Sequence, residues 1–120
     1  MTHPTILAAR IVRVIEGARI NITSERLAHD AIAEALGRDG LDVRREVILT
    51  PKDRIDIMME GIGVEVKVAH ARRDIHAQLK RYAALDAIEA LVLATGVAWP
   101  GMHTIAGKPL RIASLSKGWL

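Results

Sequence analysis

The segment Val64-Glu65-Val66-Lys67-Val68 alternates apolar and charged residues with a period of two. A helix would scatter those valines around its circumference. A strand gathers them on one face and presents Glu65 and Lys67 on the other. Just upstream, Arg54-Ile55-Asp56-Ile57-Met58-Met59 has the same strand-like character, and Glu60-Gly61 between the two supplies a reversal. An antiparallel hairpin of residues 54–59 against 63–68 is therefore expected, in a register that sets Asp56 directly across from Glu65. Opposed residues share a face, with Cβ atoms roughly 4.5–5.5 Å apart. Two carboxylates that close repel unless something positive stands between them. A divalent cation would serve, and Lys67 stands one step along the same face.

The other elements read around this hairpin. Residues 4–16 suit a helix, with Pro4 in the first turn and Gly17 as a stop. Its polar residues Arg10, Arg13 and Glu16 form a narrow stripe, so burial on two sides is expected, partly in a dimer; residues 10–15 are weaker strand material. Ser24 suits an N-cap and Glu25 a first turn. Leu27, Ala28, Ala31, Ile32, Ala35 and Leu36 follow at helical spacing, and Gly37 and Gly40 bracket the end. Residues 42–50 read as a strand and Pro51-Lys52-Asp53 as a turn. After a loop at 69–73, Asp74 can cap a helix running to about Ala90. The apolar run 90–95 suits a fully buried strand, parallel to its sheet neighbour through a right-handed crossover. A loop with Pro100 and Gly101 leads to a last strand at 110–115 and a tail ending in Trp119-Leu120.

Composition narrows the function classes. The chain has 120 residues, enough for one domain spanning 1–120, and half of them are apolar with no Phe, one Tyr and two Trp. The core must be aliphatic. With no Cys there are no disulfides, thiolate zinc sites or iron–sulfur clusters. No apolar run approaches the ~20 residues that span a bilayer. No signal-peptide layout is present either, so a cytoplasmic protein with no membrane partner is expected. The formal net charge of +3 favours polyanions. Arg44-Arg45, Lys52, Arg54, Lys67, Arg72-Arg73 and Lys80-Arg81 concentrate the basic residues around the hairpin, although a plainer reading is an ordinary solvated surface.

Asp56, eight intervening residues and then Glu65-Val66-Lys67 resemble the motif of the PD-(D/E)XK nuclease superfamily, with Ile55 where a Pro is often found. Gln78-Leu79-Lys80-Arg81-Tyr82 is similar to the Gln-x-x-x-Tyr motif of its RecB-like members, whose i and i+4 residues share a helical face. The order of helix, three antiparallel strands, helix and strand over residues 24–95 is also similar. The resemblance implies an α/β restriction-endonuclease-like fold, whose mixed sheet has three antiparallel strands plus a parallel one, flanked by helices. It implies a catalytic group of Asp56, Glu65, Lys67 and Glu25. Magnesium, or manganese in its place, would be held by Asp56, Glu65, the Val66 main-chain carbonyl and Glu25. Glu25 resembles the acid that many members carry on the preceding helix; RecB-like enzymes often use a His there, and His29 lies one turn on. Gln78 and Tyr82 would place the nucleic acid strand, and Arg72, Arg73, Lys80 and Arg81 would meet phosphates. Holliday-junction resolvases of this superfamily share the early Glu but usually lack Gln-x-x-x-Tyr, so the chain is intermediate between the two groups.

The expected activity is metal-dependent hydrolysis of phosphodiesters, in DNA, with little sequence preference. Few aromatics argue against stacked-base binding along a strand, and no base-reading helix motif is present. The first alternative is a non-catalytic nucleic-acid-binding subunit of a repair, phage or defence complex. The second is a protein–protein module, for which the apolar first helix and Trp119-Leu120 argue. A homodimer or a larger assembly would fit any of these. His3, His70, His76 and His103 show no metal-ligand spacing and read as surface residues.

Overall fold

The computed structural model describes residues 3–100 and 103–116. Helix α1 (Pro4–Gly17) starts on a prolyl ring, and the His3 imidazole accepts a hydrogen bond from the Thr5 amide at 3.2 Å. Residues 10–15 are helical, not extended. Leu7, Ala8, Ile11, Val12 and Ile15 form one buried stripe, whereas Ile6 and Arg13 are exposed. Among the described residues α1 lies against the sheet and α2, so it is covered there on one side, not two. Helix α2 (Glu25–Arg38) is capped by Ser24, whose Oγ accepts from the Leu27 amide at 3.1 Å. It ends where Gly40, at φ 89°, lets the chain turn out of the helix.

The hairpin region forms as three strands, β1 (Arg44–Thr50), β2 (Asp53–Met59) and β3 (Ile62–Lys67), each antiparallel to the next. The pairs Ile57↔Val64, Met58↔Gly63 and Met59↔Ile62 have the expected register. Helix α3 (Arg72–Ala83) then crosses over to β4 (Ala90–Thr95), which lies parallel to β3 and is buried along its whole length. Strands β5 (Thr104–Ile105) and β6 (Lys108–Ser114) complete the sheet, with β6 parallel to β4 and β5 antiparallel to β6.

The strand order is β1-β2-β3-β4-β6-β5. The mixed sheet flanked by helices is as expected, but among the described residues it has six strands, not the core four of three antiparallel plus one parallel. The last strand expected at 110–115 forms as β6 and extends the sheet beyond β4. β5 is only two residues long, too short to carry a period, and is joined to β6 through Ala106 and Gly107, both at positive φ. Gly101 and Trp119-Leu120 lie outside the described residues.

Helix α3 differs from expectation at both ends. Its N-cap is Ala71, with no side-chain hydrogen bond, and Asp74 lies inside the first turn. It stops at Ala83, short of Ala90. The Leu85 amide bonds to the Tyr82 carbonyl, and the Glu89 amide to the Gly61 carbonyl at 2.8 Å. A helix-favouring stretch yields there to a tie with the β2–β3 turn.

The sheet separates two aliphatic cores. On one face α1 and α2 pack on Ile57, Met59, Ile62, Val64, Val66 and alternate residues of β4. On the other, Ile75, Leu79 and Tyr82 of α3 pack on Ile55, Met58, Leu91 and Leu93. Ile55 and Ile57 would share a face in a regular strand. They enter opposite cores, so β2 turns over at Asp56. The partner strand is irregular at the same level: Glu46, between the pairs Arg45↔Ile57 and Val47↔Ile55, is in the left-handed region at φ 50°. Among the described residues no helix is long and apolar enough to cross a membrane.

Candidate active site

At the turnover point the β2–β3 ladder gives way to side chains. The Asp56 amide donates to Glu65 Oε1 at 3.3 Å, and Asp56 Oδ2 accepts from the Val66 amide at 2.8 Å. Two carboxylates thus take the places that main-chain carbonyls would hold in a continuous hairpin. Asp56 is half-buried and Glu65 is 2% exposed. Lys67 Nζ lies 3.3 Å from Glu65 Oε2 and is itself mostly covered. The Asp–Glu–Lys group expected from the alternating strand therefore comes together at the carboxyl end of β3.

The electrostatics follow from burial. Loss of water pushes the Glu65 carboxyl up to about 8, the nearby Asp56 charge adds to the shift, and Lys67 opposes it. The buried Glu65, with Asp56 near it and Lys67 Nζ 3.3 Å from its Oε2, stays neutral until about 8; with both acids ionised, the two carboxylates would outnumber that one ammonium.

Glu25 opens α2 beside this group, with Oε1 accepting from the Val68 amide at 3.0 Å. His70 Nε2 lies 3.0 and 3.1 Å from its two oxygens. Glu25 and Lys67 share a small cleft of about 170 Å³ with Arg26, His29, Asp56 and Val66. His29 is buried, and its Nε2 accepts from Arg45 Nε at 3.3 Å while Arg45 Nη2 is bound to Asp30. Both Glu25 and His29 therefore border the cleft, and each already has a protein partner.

Gln78 and Tyr82 adjoin each other across one helical turn, with Gln78 Nε2 donating to the Tyr82 hydroxyl at 2.7 Å. That hydroxyl donates to the Arg54 carbonyl at 3.0 Å. Tyr82 is fully buried, and burial together with the Glu65 charge raises its pKa. Its polar atom is spent on the backbone two residues before Asp56. The pair braces β2 and borders a larger cleft of about 410 Å³ with Lys52, Asp53 and Arg54. Of the expected phosphate contacts, Arg72, Arg73 and Lys80 are exposed, whereas Arg81 Nε pairs with Asp53 Oδ1 at 3.2 Å.

Sequence reasoning missed three supports. Thr95 Oγ1 donates to the Lys67 carbonyl at 2.6 Å and accepts from the Val97 amide at 2.9 Å, which pins the backbone under Lys67. His70 orients Glu25, and Arg45 occupies His29. Only tertiary pairing brings these residues together, and none carries a local signature.

The donor set suits a hard cation that keeps much of its own water. Magnesium binds through one or two carboxylates plus waters, and Asp56 with Glu65 supplies two oxygen donors short of countercharge. A denser cage is not on offer: among the described residues no group of three or more His, Asp or Glu could hold a metal ion. No protein-family model, curated protein or solved structure matches the chain.

Proposed function

We propose that the chain is a metal-dependent nuclease with a restriction-endonuclease-like core of the PD-(D/E)XK kind, hydrolysing phosphodiester bonds in DNA with little sequence preference. One observation carries this reading: Glu65 is buried against Asp56 with Lys67 beside it, at an edge where a polar cleft opens. A charge-deficient acid pair costs stability. A bound cation would relieve it.

Asp56, Glu65 and the Val66 carbonyl are the groups that would hold magnesium, or manganese in its place. When bound, the ion lowers the pKa of a coordinated water and polarises the scissile phosphate. Lys67 then orients the attacking water or offsets charge gathering on the phosphate oxygens. Glu25 borders the same cleft and contributes through water. Gln78 and Tyr82 hold β2, and so Asp56, in place. Arg72, Arg73 and Lys80 meet the backbone, so affinity falls steeply with salt.

The test is a panel of labelled single-stranded, duplex, flap, junction and RNA substrates incubated with Mg²⁺ or Mn²⁺ beside the Asp56→Ala and Lys67→Ala variants. Cleavage by the native chain and a loss of at least about a hundredfold in either folded variant are expected, the scale of a lost electrostatic contact. Full activity in either variant would sink the proposal. One observation favours a second reading, a binding subunit without catalysis: Asp56, Glu65 and Lys67 already satisfy one another and two amides. It predicts salt-sensitive DNA binding with no cleavage at any enzyme concentration.

A further inference from the structure

Beyond the carboxylates, the same end of the sheet carries a second, different concavity. Arg72, Arg73 and His76 of α3 and Trp99-Pro100 after β4 enclose about 240 Å³, walled largely by carbon and rimmed by cations. Its walls grow from the two strands that frame the site. Lys67 pairs with Thr95 at the carboxyl end of the parallel pair. Arg72 lies five residues past Lys67, at most about 18 Å of extended chain, and Trp99 four past Thr95. Ligands of α/β sheets gather outside the carboxyl ends of their strands.

We propose that this cleft binds one unpaired nucleobase of a single-stranded nucleic acid, stacked against Trp99 with its phosphate on Arg72 and Arg73. Two observations converge. The indole packs against the α3-side core and stays half-buried, so one part of the ring is held by packing while the rest borders the cleft. Arg72 and Arg73 are exposed, and the ion pair of Arg73 with Asp74 is loose, at 4.0 Å.

A base has an aromatic face and a phosphate at a fixed offset, which this juxtaposition of ring and guanidinium matches. In a duplex the base faces are stacked on one another and cannot reach the ring. The cleft therefore selects single-stranded or frayed segments. This inference rests on the nuclease reading for the direction in which the strand runs past Lys67, but its binding element stands alone.

The experiment uses the full chain with Trp119→Phe, so that emission reports Trp99, in EDTA so that no strand is cut. A short oligothymidylate should quench Trp99, and a duplex of the same length should not. Trp99→Ala should weaken the single strand about five- to a hundredfold while leaving duplex affinity within twofold. Trp99→Phe should retain most of the affinity and melt like the parent. Arg72→Gln with Arg73→Gln should flatten the salt dependence of single-strand binding.

Unquenched Trp99 emission, or equal weakening of single strand and duplex in Trp99→Ala, overturns the proposal. If Trp99→Ala does not fold, the quenching and Trp99→Phe decide. Binding read in EDTA separates this outcome from the nuclease reading. An absence of cleavage leaves the stacking result standing, and the reverse holds too.

Discussion

Glu65 holds its proton more tightly folded than unfolded. Between the ordinary glutamate value of 4.5 and about 8, the native chain carries a proton that the unfolded chain has released. More protons bound to the native state mean that stability falls as pH rises. The contribution of Glu65 is therefore fully present below 4.5 and lost as pH rises through about 8. The loss is on the order of a few kcal/mol. Glu65→Gln should remove that slope, so urea denaturation at about pH 8 should find the variant more stable than the parent while cleavage is abolished. Equal pH slopes in the two proteins would mean that Glu65 ionises freely. Tyr82→Phe tests the brace next to it. Losing the hydroxyl leaves the Arg54 carbonyl without that donor and should cost about 1–3 kcal/mol in a denaturant titration. Glu65 and Lys67 were legible because β3 keeps its period of two, and Asp56 because the short turn fixes the β2–β3 register, although the turnover of β2 at Asp56 left no trace in the sequence. The burial of Tyr82 was not legible either. A Gln and a Tyr one turn apart say which face they share, and only the packing of α3 says that this face turns inward.

Among the elements, the β2–β3 hairpin is built around close approach. A Cβ on Gly63 would lie 2.3 Å from Ile55 Cδ1, 3.1 Å from Leu91 Cδ2 and 3.2 Å from Ile88 Cδ1. All three neighbours are fully or almost fully buried, so they have little room to give way. Gly63→Ala should cost about 1–3 kcal/mol by overpacking, seen as a lower melting temperature. Because Ile55 precedes Asp56, activity should fall at temperatures where the variant is still folded. At α2, Ser24→Ala removes the cap on the Leu27 amide and should cost about 1 kcal/mol. The α1 and α2 boundaries were readable from Pro4 and Ser24, residues whose chemistry marks a helix start. The C-terminal end of α3 was not, since its local sequence favours more helix and the stop comes from the bond between Glu89 and Gly61. β5 left no periodic trace at all.

At the scale of the molecule, two cores on either side of one sheet tie distant parts of the chain together. Glu16 of α1 accepts from the Ser114 amide at 2.9 Å, across 98 residues. The Leu115 amide donates to the Thr95 carbonyl at 3.1 Å, and Thr95 in turn holds Lys67. A chain cut after residue 103 should lose cooperative unfolding, since the β4 edge and the apolar stripe of α1 would both be uncovered; near-UV dichroism would show it. A sharp melt in that shortened chain would place stability elsewhere. The late arrival of β6 also sets a time order: the Leu115 amide clasps Thr95, and Thr95 the Lys67 carbonyl, only after residue 115 has been made, so the backbone under the lysine is the last part of the sheet to set.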